Sequence, residues 1–202
     1  MARRVAVYGG TFDPPHLGHV AAAKAALAAL SPDELLWMPA RQAPHKGRAL
    51  ASAEQRLNMC RLAATELGPC VTVSGLEMEA DASGYTVDTL SGLAAREPEA
   101  ELWLVVGQDM LLSLEQWKDP ARLLGLCRVA AVCRARGQDQ GMEAAAETLR
   151  AKYGAVIRLV GHEPVEISST RLRGMLARGG GHKYLSEPVW AYIRENGVYM
   201  DG

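Results

Sequence analysis

The chain has 202 residues, with Lys+Arg 22 against Asp+Glu 23, a formal net charge of -1 and a hydrophobic share of 49%. That length buries roughly 70% of the unfolded surface, so a core needs neither disulfides nor a structural metal. Near-neutrality argues against a broad nucleic-acid or membrane surface and leaves room only for a local basic patch.

The apolar, β-branched run RVAVYGG, residues 4–10, reads as a buried first strand ending in glycine, not as a signal peptide. LGHVAAAKAALAAL follows as an Ala-rich helix, broken at Ser31-Pro32-Asp33. Its apolar stretch carries Lys24 and is far shorter than the ~20 residues of a membrane span. LLWMPA reads as a second strand, and the Pro/Gly/basic segment after it has the composition of a lid. Ser52 and Gln55 form a capping box for a helix running to about Gly68. VTVSGLEM reads as a strand, and Gly84-Tyr85-Thr86 precedes a helix that ends before Pro98. LWLVVGQD is the most apolar strand candidate, and RVAAVCR and AVIRLV are two more. RLRGMLARG and VWAYIREN close the chain as helices, stopped by glycines.

Strands alternating with helices, and continuously apolar, predict a parallel α/β sheet covered on both faces. No domain boundary is evident, so residues 1–202 read as a single domain. The cysteines Cys60, Cys70, Cys127 and Cys133 form no C-x-x-C pair. They read as buried free thiols in a reducing cytosol, with zinc spacing absent.

YGGTFDPPHLGHV, residues 8–20, sits where such a sheet binds ligands, at the carboxyl end of a strand. Gly9 and Gly10 allow close approach, and the following helix offers free N–H groups and a positive dipole end. The stretch matches neither the dinucleotide fingerprint nor the P-loop. His16 and His19, three apart, share one face of the incoming helix. One buried structural histidine is an alternative, and a metal pair another, but no third ligand stands out. Two histidines behind a Gly-Gly-Thr turn point to phosphate handling.

GGTFDPPHLGH resembles the signature of the H-x-G-H nucleotidyltransferases and, within them, the bacterial nicotinate mononucleotide adenylyltransferases. Pro44-His45-Lys46 resembles a family loop. Gly84-Tyr85-Thr86 with Thr89-Leu90 is similar to S-Y-T-x-x-T-L, with Gly84 in place of Ser. Gly107-Gln108-Asp109 with Trp117 resembles G-x-D…W, and Ile167-Ser168-Ser169-Thr170 with Arg173 resembles I-S-S-T-x-x-R. Leu185, Pro188, Tyr192, Ile193, Gly197 and Tyr199 fit the family's C-terminal helix.

The resemblance implies a Rossmann-like doubly wound sheet with a small C-terminal helical part. It implies adenylyl transfer from ATP, with Mg²⁺ as its counter-ion, to nicotinate mononucleotide in the cytoplasm. His16, His19 and Arg173 would be catalytic. ATP would lie against Gly9, Gly10, Thr11, Phe12, Gly107, Asp109, Ile167, Ser168, Ser169 and Thr170, besides those three. The acceptor would meet Thr11, Lys46, Tyr85, Thr86, Asp109 and Trp117. Asp13 is expected to cap the helix or fix a histidine tautomer. No dedicated metal site, membrane or nucleic acid is implied, and a homo-oligomer is left open. The rivals are the same chemistry on nicotinamide mononucleotide or pantetheine phosphate, and a non-catalytic nucleotide-binding protein.

Overall fold

The computed structural model describes residues 2–40, 50–79, 81–134, 140–163 and 165–200. Six strands form one all-parallel sheet: β1 (Arg4–Gly10), β2 (Glu34–Pro39), β3 (Val71–Val73), β4 (Glu101–Gly107), β5 (Arg128–Arg134) and β6 (Ile157–His162). Their spatial order is β3-β2-β1-β4-β5-β6, so the chain reverses its direction of growth between β1 and β4. Ligands of doubly wound sheets bind at that switch point, outside the strand carboxyl ends. Register sets Gly10 beside Pro39 and Tyr8 beside Val105, with Gly107 beside Val132.

Alternate residues of each strand feed opposite faces. Ala6 and Tyr8 of β1 join one core, with α1 (Leu17–Leu30), α2 (Ala53–Ala64), α7 (Ser169–Leu176) and α8 (Glu187–Glu195). Val5 and Val7 join the other, with α3 (Thr86–Arg96), α4 (Gln108–Leu112), α5 (Pro120–Leu126) and α6 (Gln140–Tyr153). In α1 the buried positions are Val20, Ala23, Ala26 and Leu30. Small alanines there bring the helix axis close to the sheet, and Ser31 ends it in a left-handed conformation, φ 43°.

Two expectations change. The run VTVSGLEM is a strand only over Val71–Val73, and Leu76–Met78 is a 3₁₀ turn. Residues 108–153 contain the helices α4, α5 and α6, none of which is among the predicted elements. The four cysteines are free thiols, and Cys60, Cys127 and Cys133 are buried. Among the described residues no helix is long and apolar enough to cross a membrane.

Candidate active site

The turn from β1 into α1 is fixed from below by one aromatic ring. Phe12 adopts φ 48° and is 2% exposed. It lies edge-on to Tyr8, Trp37 and His19, with centroids 5.3, 5.3 and 4.9 Å away. Gly10 must be glycine because a Cβ there would stand 2.8 Å from the Phe12 ring. The Phe12 side chain therefore supports the turn from behind.

His16 is the extended N-cap of α1, φ -125° and ψ 171°. Its ring stacks on His19 at 3.7 Å between centroids. The His16 N–H donates to His19 Nδ1 over 3.1 Å. In neutral His19 the proton therefore sits on Nε2. His16 is 6% exposed, and burial pushes its conjugate acid down to about 4. It is neutral at pH 7. Gly18, between the two histidines, makes room for this packing: a Cβ there would lie 3.0 Å from the His16 ring. His16 Nδ1 and Thr11 Oγ1 are buried without a hydrogen-bond partner. Two orphaned polar atoms on one turn mark a site whose hydrogen bonding is incomplete in the protein alone.

Asp13 does not cap α1 or bond a histidine, as the sequence suggested. It is 3% exposed. Its carboxylate accepts from the Leu50 and Ala51 amides over 2.9 and 3.1 Å and from the Tyr199 hydroxyl over 2.6 Å. The pocket around it is cationic. Arg56, 1% exposed, donates to the Thr11 carbonyl over 2.8 Å and also to that of Ala40. Burial lowers the Arg56 pKa, and the nearby Asp13 charge opposes that shift.

The amino end of α7 meets the same turn. Ser168 is its N-cap and accepts from the Arg171 amide over 3.2 Å. Ser169 donates to the Pro14 carbonyl over 3.2 Å, which docks α7 on the histidine turn. Arg173 donates from Nη1 to the Asp13 carbonyl over 2.8 Å and from Nη2 to Thr170 Oγ1 over 3.3 Å. Thr170 is exposed, and Ile167 packs half-buried against the α1 core. His16, His19, Arg173, Thr11 and the 168–170 segment are thus brought together.

Of the other predicted acceptor residues, Tyr85 and Thr86 open α3, and Asp109 and Trp117 follow β4. Gly107 precedes α4, and Asp109 is exposed in its first turn. Tyr85 is the N-cap of α3, with Thr86 its first residue. Gly84 has φ +74°, and the Ser83 hydroxyl accepts the Tyr85 amide over 3.2 Å. Ser83 thereby orders a turn that the family signature gives to the next position. Trp117 is half-buried against the second core, not fully exposed for stacking. Lys118, which the sequence reading overlooks, sits 4.3 Å from the Tyr85 ring centroid and pairs with Asp88 over 3.0 Å. Lys46, with Pro44 and His45, lies outside the described residues.

Arg56, Gly18 and Tyr199 are the other residues the sequence leaves without a role at the site. Arg56 had a signal. It occupies the inward stripe of α2 with Met59, Cys60 and Ala63, where a charged residue needs a buried partner. Among the described residues no group of three His, Cys, Asp or Glu side chains could hold a metal ion.

The profile of the cytidylyltransferase-like family matches residues 7–175. A protein of Symbiobacterium thermophilum named a probable nicotinate-nucleotide adenylyltransferase is 38% identical, covering 98% of this chain and 96% of its own. One of the same name from Gloeobacter violaceus is 38% identical, over 98% and 97%. The Plasmodium falciparum nicotinic acid mononucleotide adenylyltransferase complexed with NaAD superposes with a TM-score of 0.81 at 18% identity, covering 98% of this chain and 97% of that one.

Proposed function

From the chain's place in the cytidylyltransferase-like family, to which it belongs together with full-length relatives named nicotinate-nucleotide adenylyltransferases, we infer the reaction that its site performs. It transfers the adenylyl group of ATP to nicotinate mononucleotide, giving deamido-NAD and pyrophosphate, within cytoplasmic NAD biosynthesis. One domain spanning residues 1–202 carries the activity.

The stacked histidine pair is the observation that carries this reading. The nucleophile is a phosphate oxygen, already ionised near pH 7, so no general base is needed. It attacks the α-phosphorus of ATP, an O–P bond forms, and the bond to the β-phosphate breaks as pyrophosphate leaves. The remaining work is to align two polyanions and stabilise charge on the equatorial and leaving oxygens. His19 donates from Nε2 to the β/γ side, and neutral His16 donates to the α-phosphate region. The Gly10 amide and Thr11 hold the acceptor phosphate. Arg173 and the opening turn of α7 grip the β- and γ-phosphates. Mg²⁺ would come with ATP as its counter-ion, since the histidine pair and Arg173 offer no carboxylate to hold it.

On the acceptor side, the first amides of α3 receive the nicotinate carboxylate, and Trp117 lies along the pyridinium ring. Asp109 faces ribose hydroxyls, and Lys46 contacts the acceptor phosphate. The Lys118 ammonium lies against the Tyr85 ring at the α3 entrance, its charge shared with Asp88. Pyrophosphate release with ATP and Mg²⁺ tests the assignment, comparing nicotinate mononucleotide, nicotinamide mononucleotide and phosphopantetheine. Strong preference for the first is expected. A preference for either other acceptor would keep the histidine chemistry and overturn the roles of Tyr85, Thr86 and Trp117.

A further inference from the structure

Among the described residues Arg56 is the only buried arginine or lysine, 1% exposed on the inward stripe of α2. One nitrogen, Nη1, donates to two main-chain carbonyls, that of Thr11 over 2.8 Å and that of Ala40. These carbonyls stand just past the carboxyl ends of β1 and β2. The Thr11–Phe12 peptide is trans, so its N–H points the opposite way, away from the guanidinium. Among the described residues that N–H donates to no acceptor. The Thr11 hydroxyl beside it is buried and unpartnered as well. Phe12 itself holds φ 48°, a conformation that persists in a non-glycine residue only where the surroundings fix it. Its buried ring fixes it on one side, and Arg56 fixes the peptide before it on the other.

We propose that Arg56 is a positioning residue for phosphate binding: its guanidinium locks the Thr11–Phe12 peptide so that the Phe12 amide and the Thr11 hydroxyl face a substrate phosphate. The proposal rests on the reading that the Gly10–Thr11 turn holds the acceptor phosphate. Buried as it is, Arg56 acts through the peptide and not by touching the substrate. A cation on the carbonyl also polarises the peptide group, which strengthens its N–H as a donor. Lysine is no substitute, because a compact ammonium on a shorter stem does not reproduce the reach of the guanidinium fork.

Two variants test it. Arg56→Lys keeps the buried charge, and Arg56→Met removes the donors; where the second does not fold, the first carries the test. Calorimetry compares nicotinate mononucleotide with nicotinate riboside, which lacks the phosphate. Kd for the mononucleotide is expected to rise about tenfold, the worth of one charge-assisted hydrogen bond. Kd for the riboside stays within about twofold, because no phosphate is there to lose. The chain has a single phenylalanine, so isotope-labelled phenylalanine gives one backbone amide resonance, that of Phe12. In the wild type the mononucleotide moves this resonance downfield and the riboside does not, and in the variants the movement shrinks. A shift with ATP in place of the mononucleotide assigns the donor's phosphate to the same amide, and the tenfold loss then falls on Kd for ATP. Equal losses for mononucleotide and riboside, with a lower melting temperature, would make Arg56 a structural tie alone and overturn the proposal. Unchanged affinity for both phosphate-bearing ligands in the variants would overturn it too. A wild-type resonance that neither of those ligands moves, with turnover intact, refutes the phosphate-holding turn itself, an outcome separate from failure of the Arg56 link.

Discussion

At His16 burial governs chemistry and stability together. Burial pushes its conjugate acid down to about 4, against about 6.5 for an exposed imidazole. Between those values the unfolded chain binds a proton that the folded chain refuses. Stability from this residue is complete above about 6.5 and is lost as pH falls towards 4, a difference of about 2 kcal/mol between pH 7 and 4.5. Urea unfolding at those two pH values should show that extra loss in the wild type relative to His16→Asn. Parallel pH slopes would mean that the ring is protonated in the folded chain. His19 differs. It is half-buried and its Nδ1 is already engaged, so its expected contribution lies in the transition state. His19→Ala should lower kcat by about 10²–10³ and move the melting temperature little. Near-normal kcat would remove it from the mechanism.

Among the elements, α1 shows how a short motif encodes geometry. Gly18 lies in its first turn, where a Cβ would come within 3.0 Å of the His16 ring and 3.5 Å of the Val165 carbonyl. Alanine gains about 1 kcal/mol of helix propensity over glycine, and this offsets the cost of pushing the ring a few tenths of an ångström. Gly18→Ala is therefore expected to keep its stability within about 1 kcal/mol while kcat falls about tenfold or more. Measuring both on one preparation separates the effects, and an unchanged kcat would show that the ring tolerates the shift. The five longer strands and α1 were legible because buried parallel strands are continuous apolar runs and the histidine turn ends one of them. α4 and α5 are too short to show a period, although Asp119 capping Pro120 is a start signal. α6 does carry one, with Met142, Ala146 and Leu149 all buried on its inner side. Asp13 was legible as a charged residue in the motif but not as a hub. Its partners Leu50, Ala51, Tyr199 and Arg173 are far away in sequence, and no local pattern links them.

Across the whole molecule, the site closes the chain on itself. Ser169 meets Pro14, Arg173 meets Asp13, and Tyr199 meets Asp13, so residues near both ends share one turn. All of these belong to the face where α1, α2, α7 and α8 pack on the sheet. On the proposed site, a polyphosphate between the histidine turn and the amino end of α7 would couple segments more than 150 residues apart, and its binding energy would add to global stability. With ATP and Mg²⁺ at about 100 times Kd, mass action contributes about 2.7 kcal/mol. For a chain of this size that is a rise of about 5–11 °C in melting temperature. The rise should shrink strongly in Arg173→Gln at the same ATP concentration. Hydrogen exchange should show slower opening of the first turns of α1 and α7 together, because one ligand spans both. Protection confined to α1 would place the polyphosphate on the histidines alone, and α7 would then be no part of the grip.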